Sequence, residues 1–495
     1  MASLPNSFAY FVSSLGGINR RSVRLSPNNT QNPKQSEQIT FVLPTDSIVD
    51  LTTCQFIYKF KYQNAPTADK HTIKYVPAPE QLIRSVVWSI NNQAVAGANN
   101  QHFSQVLQML KRASCGNDNP NSRSDEYSEC PVHNLCGNKD DGSEASKVYG
   151  NLNERVASNT IARKGKLTDF LGLASSPNAP NWDTSLCGET RITMQLNGAE
   201  ACLVASDEAS LPSGGADWEL QDCEMRVDVI SFASPEYDML MSAMLEEGSI
   251  NVPFNEYTTQ KSLINSNVRF NVSSQSLDAV MFALLNSGHT DPTHITTSAG
   301  KVKGENFGVG LTPNQITFQY RKNGSTTLGT GLASGETNMS DAVDATWYWN
   351  INGSVYPSSG ATQMVEGAEY TKQLFAGGKD DYNQLFKGYY TNGDIDEDGV
   401  VQASIPSATN LESAKQYKRI SYLNNNAICA IRLCLDVPAS QSEKRTMSGL
   451  NTLGQSSQLS LNLNGFNNNN DSVLLVGQGS SVISISQGQQ VSVIS

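Results

Sequence analysis

Long charged side chains are scarce in this chain: Asp, Glu, Lys and Arg together make up 17% of the 495 residues. Asn, Ser, Gln and Gly fill the polar positions instead. Asn and Gly tolerate the left-handed backbone that tight turns need, so the composition suits an all-β protein with many loops. Basic charge is scarcer than acidic, 35 Lys and Arg against 47 Asp and Glu, for a net charge of −12. That balance argues against a body that wraps nucleic acid, because phosphate binding needs clustered cations. No apolar run approaches the roughly 18 residues that would span a bilayer. The apolar stretch 8–12 has no basic residue ahead of it and is followed by Gly16, Gly17 and two arginines. It is not read as a signal peptide.

Catalytic signatures are missing as well. The sequence has no His-Glu-x-x-His, no Gly-x4-Gly-Lys and no Gly-x-Gly-x-x-Gly; Gly329-Thr330-Gly331 lacks the third glycine. Of five histidines, His289 and His294 flank Asp291-Pro292 in a loop-like stretch with no nucleophile motif nearby. The expectation is a protein without enzymatic activity and without a cofactor. Nine cysteines, odd in number and scattered, do not form a disulfide framework and suit a reducing interior. The sequons at Asn271 and Asn352 are read as chance in an Asn/Ser-rich chain.

What is present is β pattern on a two-domain scale. Hydrophobic residues reach 38%, enough for real cores, and the length is about twice what one core usually serves. Strands are predicted at 39–43 and 56–62. In the second, Phe56, Tyr58, Phe60 and Tyr62 alternate with Ile57, Lys59 and Lys61, the period of a half-buried strand. A third runs over 82–90, with Val86, Trp88 and Ile90 on one side. Asn91-Asn92 turns the chain, and Phe103, Val106, Leu107 and Leu110 then mark one apolar face of a short helix. Residues 114–165 are polar, without periodicity, and too long for an ordinary connection. Strands resume at 191–196, 201–205 and 218–232. A helix follows, with Ser234 as cap and Pro235 in its first turn, Tyr237, Leu240, Met241 and Met244 as its stripe, and Gly248 at its end.

After Gly248 the pattern restarts: strands at 249–254 and 267–272, a short helical stretch at 277–285, and strands at 315–320 and 346–356. In the last, Trp347, Trp349 and Ile351 alternate, and Asn352-Gly353 supplies a hairpin turn. Strands at 416–423, 427–435, 458–463, 473–476, 482–485 and 491–494 close the chain. Trp88-Ser-Ile90-Asn91-Asn and Trp349-Asn-Ile351-Asn352-Gly share one motif. Each leads into a short helix, carrying Phe103 and Leu107 in one copy and Tyr370 and Leu374 in the other. Each helix leads into a long polar excursion, 114–165 and 376–417. A repeat at half the chain length means a duplicated domain. The fold expected is all-β: two tandem eight-stranded jelly-roll sandwiches with a few short helices and long inter-strand loops. The divisions expected are an N-terminal arm at 1–36, a first jelly roll at 37–248 and a second at 249–495.

This order of elements resembles the double jelly-roll major capsid proteins, the lineage of the adenovirus hexon, tailless-phage shells, and the coats of virophages and polinton-like viruses. The resemblance rests on the repeated strand, Ile-Asn-[Asn/Gly] turn and helix. It rests also on the strand, Ser-Pro and helix between the halves at 225–245, and on the terminal strand pair around Gln487-Gly488. It covers nearly the whole chain without a diagnostic motif. It implies a structural protein of an icosahedral DNA virus, in which three copies form a pseudo-hexagonal capsomer that tiles the shell of the virion. It implies partners in the chain itself as a homotrimer, in neighbouring capsomers, and in minor capsid or penton proteins. The loops 114–165 and 376–417 would then be towers or trimer clasps. The acid-free arm, with Arg20, Arg21 and Arg24, would lie on the inner side towards a membrane or the genome. A solvated tail that orders only against a neighbouring subunit is the plainer reading of that arm.

Two metal sites are conceivable. Cys115, Cys130, His133 and Cys136 bring four soft ligands into one loop, as zinc requires, but their spacing fits no standard pattern; free thiols are the default and a disulfide is a further alternative. Asp394, Asp396 and Asp398 followed by Gly399 resemble the start of a calcium loop, yet the twelfth position is Ile405 and no entering helix is evident. A solvated acidic loop is the default there. The alternating aromatics read as core rather than as sugar platforms. Two competing functions remain open on sequence: a carbohydrate-binding tandem jelly roll of fibre or lectin type, and a two-sandwich hydrolase such as a glycan amidase.

Overall fold

The computed structural model describes residues 18–62, 73–75, 79–115, 163–175, 181–198, 203–205, 218–232, 236–285, 346–363, 366–367, 370–371, 374, 428–435, 447–453, 459–464 and 472–494. Strand order defines the fold. In the first half, β1 (Ile18–Leu25), β11 (Trp218–Phe232), β3 (Ile48–Tyr62) and β7 (Arg163–Leu167) lie side by side in that order. Facing them is the sheet β2 (Gln38–Val42), β9 (Thr190–Leu196), β5 (Ile83–Ile90) and β6 (Gln93–Ala96). Counted along the sandwich, the two sheets run first-eighth-third-sixth and second-seventh-fourth-fifth, which is a jelly roll. Two short strands, β4 (Ile73–Tyr75) and β10 (Leu203–Ala205), pair as a side ribbon, and β8 (Asn181–Asp183) adds to β3.

The second half repeats the order. One sheet is β12 (Ile250–Leu263), β20 (Ser472–Ser486), β14 (Leu277–Leu285) and β18 (Ile428–Arg432), with β21 (Gln490–Ile494) added to β20. The other is β13 (Asn267–Phe270), β19 (Leu459–Asn464), β15 (Thr346–Ile351) and β16 (Ser354–Tyr356), with β17 (Thr362–Gln363) beside β15. The duplicated all-β reading therefore holds at the level of topology, and every ladder among the described residues is antiparallel.

Three expectations need correction. Residues 277–285 are strand β14 and not a helix. Alternate residues on both of its faces are buried, from Ala279 and Val280 to Ala283, so the segment reads as a continuous apolar run without a visible period of two. The strands expected at 473–476 and 482–485 are one strand, β20. Its glycines do not break it, because they admit close neighbours: a Cβ on Gly477 would lie 3.2 Å from Phe270 and from Leu277, and one on Gly479 would lie 2.9 Å from Ser274. Within the expected N-terminal arm, residues 18–25 are strand β1, held in register along β11 from Ile18 opposite Phe232 to Leu25 opposite Met225. The strands expected at 315–320 and 416–423 lie outside the described residues.

Helix α1 (Phe103–Cys115) follows the β5–β6 hairpin, a short helix α2 (Thr184–Cys187) is capped by Asp183, and α3 (Glu236–Glu247) connects the sandwiches. The two cores interlock. Phe103 and Leu107 of α1 belong to the first core, whereas Val106 and Met109, on its other side, belong to the second. In return Phe254 of β12 and Ile483 and Ile485 of β20 belong to the first core. Across the same seam Thr259 donates its backbone N–H to Asn99 at 3.1 Å, and Tyr237 donates to Asp183 at 3.0 Å.

Candidate assembly surfaces

The repeated motif occupies equivalent places. Trp88 and Ile90 end β5, and Trp349 and Ile351 end β15; all four side chains are buried. The turns that follow demand left-handed backbone at two successive residues: Asn91 and Asn92 have φ of 48° and 68°, and Asn352 and Gly353 have 52° and 84°. This is the two-residue hairpin whose twist matches the strands, and it selects Asn and Gly at these positions. Asn91 is also a clamp. It donates through Nδ2 to the Cys187 carbonyl at 3.1 Å and accepts the Glu189 N–H through Oδ1 at 3.1 Å. After the second hairpin, residues 366, 367, 370, 371 and 374 are helical. There Tyr370 meets Trp347 edge-on at 6.4 Å, and the Thr371 hydroxyl donates to Ile428 O at 2.7 Å and accepts from Ala430 N at 3.2 Å. The motif is thus a structural device that turns the chain from the fourth strand to the fifth and launches a helix against the sandwich edge.

The long stretches expected at 114–165 and 376–417 fall between the fifth and sixth strands of their sandwiches, but the first is shorter than expected at both ends: Ser114 and Cys115 are the last residues of α1, and residues 163–165 already belong to β7. The zinc candidates Cys130, His133 and Cys136, the side chain of Cys115, and the calcium candidates Asp394, Asp396 and Asp398 lie outside the described residues. So do His289 and His294. Among the described residues no group of three or more His, Cys, Asp and Glu is placed to hold a metal ion, and no helix is long and apolar enough to cross a membrane. Five cysteine side chains are described, Cys54, Cys187, Cys223, Cys429 and Cys434, and none of them is in a disulfide. Burial pushes Cys54, Cys187 and Cys223 up to about 12.

The outer face of the β1-β11-β3-β7 sheet is a ladder of charges. Outward residues of β11 alternate with its buried ones, Trp218, Leu220, Met225, Val227 and Val229. Arg20 bridges Asp50 and Asp228 at 2.8 Å each, Lys59 pairs with Asp222 at 2.7 Å, and Arg226 with Glu224 at 2.6 Å. Arg24 and Lys61 make longer contacts, 3.9 Å to Glu224 and to Glu219. Arg20 is therefore tied to this sheet by two short ion pairs, while Arg21 and Arg24 stand exposed. Exposed pairs of this kind add little stability each, so their main consequence is a hydrated, self-neutralised face.

The equivalent sheet of the second sandwich has the opposite chemistry. Phe282 meets Trp347 at 5.2 Å and Trp349 at 6.5 Å, so its side of β14 faces the sandwich interior. Met281, Leu474 and Val476 alternate to the other side, yet they too are 0–1% exposed and share their apolar cluster with Val106 and Met109 of α1. The first sandwich covers this face. Sequence reasoning missed three further residues: Leu435, 83% exposed, and Met447 and Leu453, all in the segments that follow β18. Isolated apolar residues in polar loops leave no periodic signal.

Neither a family model nor a curated protein matches the sequence. Solved structures do match. PBCV-1 VP54, as fitted into a reconstruction of the virophage Sputnik, superposes with a TM-score of 0.54 at 11% identity over 97% of both chains. A quasi-atomic model of the PBCV-1 virus capsid gives 0.52 at 11% identity over 96% of this chain and 97% of that one. The Faustovirus major capsid protein gives 0.51 at 10% identity over 95% and 91%. The likeness runs through both sandwiches, and the fold is the double jelly roll.

Proposed function

We propose that the chain is the major capsid protein of an icosahedral virus, three copies of which form a pseudo-hexagonal capsomer. One observation carries this reading: two jelly rolls of identical strand order are locked through a shared apolar seam, so that one chain supplies two like edges of a six-sided ring. The likeness to the PBCV-1 and Faustovirus capsid proteins over nearly the whole chain supports it. In this role the protein acts by assembly and not by chemistry, and its place is the virion shell. The excursions between α1 and β7 and over 376–417, both between fifth and sixth strands, would serve as towers or clasps. Contact with minor capsid or penton proteins, and with an inner membrane or the genome, would fall to residues 1–17 and the exposed Arg21 and Arg24, because Arg20 is engaged on the sheet.

Sedimentation of the purified protein, followed by electron microscopy, tests the reading. The expected species is a trimer of roughly 160 kDa, three times the 53.6 kDa chain, that associates into sheets or particles. A chain that stays monomeric across the micromolar range, under conditions where it is folded, would overturn it.

A further inference from the structure

Within one chain, the first sandwich presents two elements to the second. One is α1, through Val106 and Met109. The other is the segment after the sixth strand β7, where Leu171 packs against both cores and the 3-10 turn Gly172–Ser175 lies beside β12, with the Cβ position of Gly172 3.5 Å from Asn255 O. The surface that receives them is the outer face of the β12-β20-β14-β18 sheet. The second sandwich carries the topological counterparts of both donors, the helical residues 366, 367, 370, 371 and 374 and the residues that follow its own sixth strand, β18. Among these residues Leu433 and Leu450 pack against the second core, while Leu435, Met447 and Leu453 stand exposed. The counterpart of the receiving surface, the ion-paired outer face of β1-β11-β3-β7, is likewise open, with Arg24 71%, Lys59 46% and Asp222 69% exposed.

We infer that these two surfaces meet between copies: the segment after β18 of one chain, through Leu435, docks on the charged outer face of the first sandwich of a second copy of this chain. The inference rests on the trimeric reading above and deepens it. In a ring of six sandwiches the seam inside a chain and the seam between chains join equivalent faces, so the seam already seen is the template for the one between copies. Their chemistry differs for a reason of timing. The seam inside the chain closes during folding and is apolar, whereas the face awaiting a second copy spends time in water, and its paired charges keep it soluble until it is covered.

Two measurements on the full-length protein test this. Leu435→Asp places a charge at a side chain that contributes nothing to the monomer's core; sedimentation equilibrium should show the trimer weakened at least tenfold, with an unchanged circular dichroism spectrum. In the unaltered protein, acetylation of Lys59 and Lys61 read by mass spectrometry should slow severalfold when diluted monomer is concentrated into trimer. Trimers of undiminished strength in Leu435→Asp, or lysines equally reactive in both states, would overturn the proposed seam while leaving the trimer itself standing. A wild-type chain that forms no trimer would overturn the inference together with the reading on which it rests.

Discussion

Ile483 belongs by sequence to the second sandwich and by packing to the first, and replacing it measures how firmly the two are joined. It sits in β20, is 0% exposed, and clusters with Phe254, Ile485 and the core of the first jelly roll. Removing a buried Ile to its β-carbon costs about 2–5 kcal/mol, so Ile483→Ala is expected to cost about 3 kcal/mol. At 1.4 kcal/mol per tenfold, the loss corresponds to roughly a hundredfold faster amide exchange wherever exchange requires opening of the affected core. Hydrogen-exchange mass spectrometry should place that acceleration in β3 and β11, strands distant in sequence from the substitution. Leu475→Ala, eight positions earlier in the same strand and equally buried in the second core, should act first on β14 and β15. If Ile483→Ala accelerates exchange in β14 and β20 alone, the shared core is not energetically shared, and the rigid pair of sandwiches argued above fails.

Gly97→Ala should be severe, with a fall in melting temperature of many degrees or loss of soluble protein, because φ is 81° and the new Cβ would lie 2.1 Å from Val86 O. Gly353→Ala has a similar φ of 84° but open space, so thermal melting should register only about 1 kcal/mol. Cys54, Cys187 and Cys223, pushed up to about 12 by burial, and Cys429, raised for the same reason, should resist iodoacetamide at pH 8 until the protein is denatured. Labelling of Cys54 at the rate of a free thiol in the native protein would refute its burial. His102 is lowered to about 4 by burial and by the positive charges of Lys261 and Arg84, against a hydrogen bond with Gln105. Its folded state takes up a proton less readily than the unfolded chain, whose value is near 6.5, so its contribution is intact above that pH and is lost as pH falls towards 4. Urea midpoints at pH 7 and pH 4.5 should therefore differ less for His102→Gln than for the wild type.

The parts of the fold legible in the sequence are those where local chemistry has one solution. The run Phe56 to Tyr62 alternates because one face of β3 is core and the other meets water, and the turns at Asn91 and Asn352 need residues that accept positive φ. Strands β14 and β20 were obscured by burial on both faces, which removes the alternation that distinguishes a strand from a buried helix. β1 was illegible for another reason. Its pairing with β11 joins Ile18 to Phe232, and nothing within residues 18–25 announces a partner so far along the chain. The exposed residues after β18 carry no pattern at all; they became visible only when the two sandwiches were superposed by strand order.

Equivalent strands in the two sandwiches give composition a meaning it lacks in one domain alone. β11 and β20 are both eighth strands, each with neighbours on either side, so their secondary structure imposes the same demands. Yet β11 alternates, with Glu219, Glu224, Arg226 and Asp228 between its core residues, whereas β20 carries Leu474 next to Leu475 and Val476, all at 0% exposure. The difference therefore reports what each outer face touches once the chain has folded. A face covered by its own chain can afford to be apolar throughout. A face that must wait for another molecule stays charged, because an open apolar sheet of that size would aggregate before assembly. In a duplicated domain, the copy that kept its alternation marks the surface left for a partner.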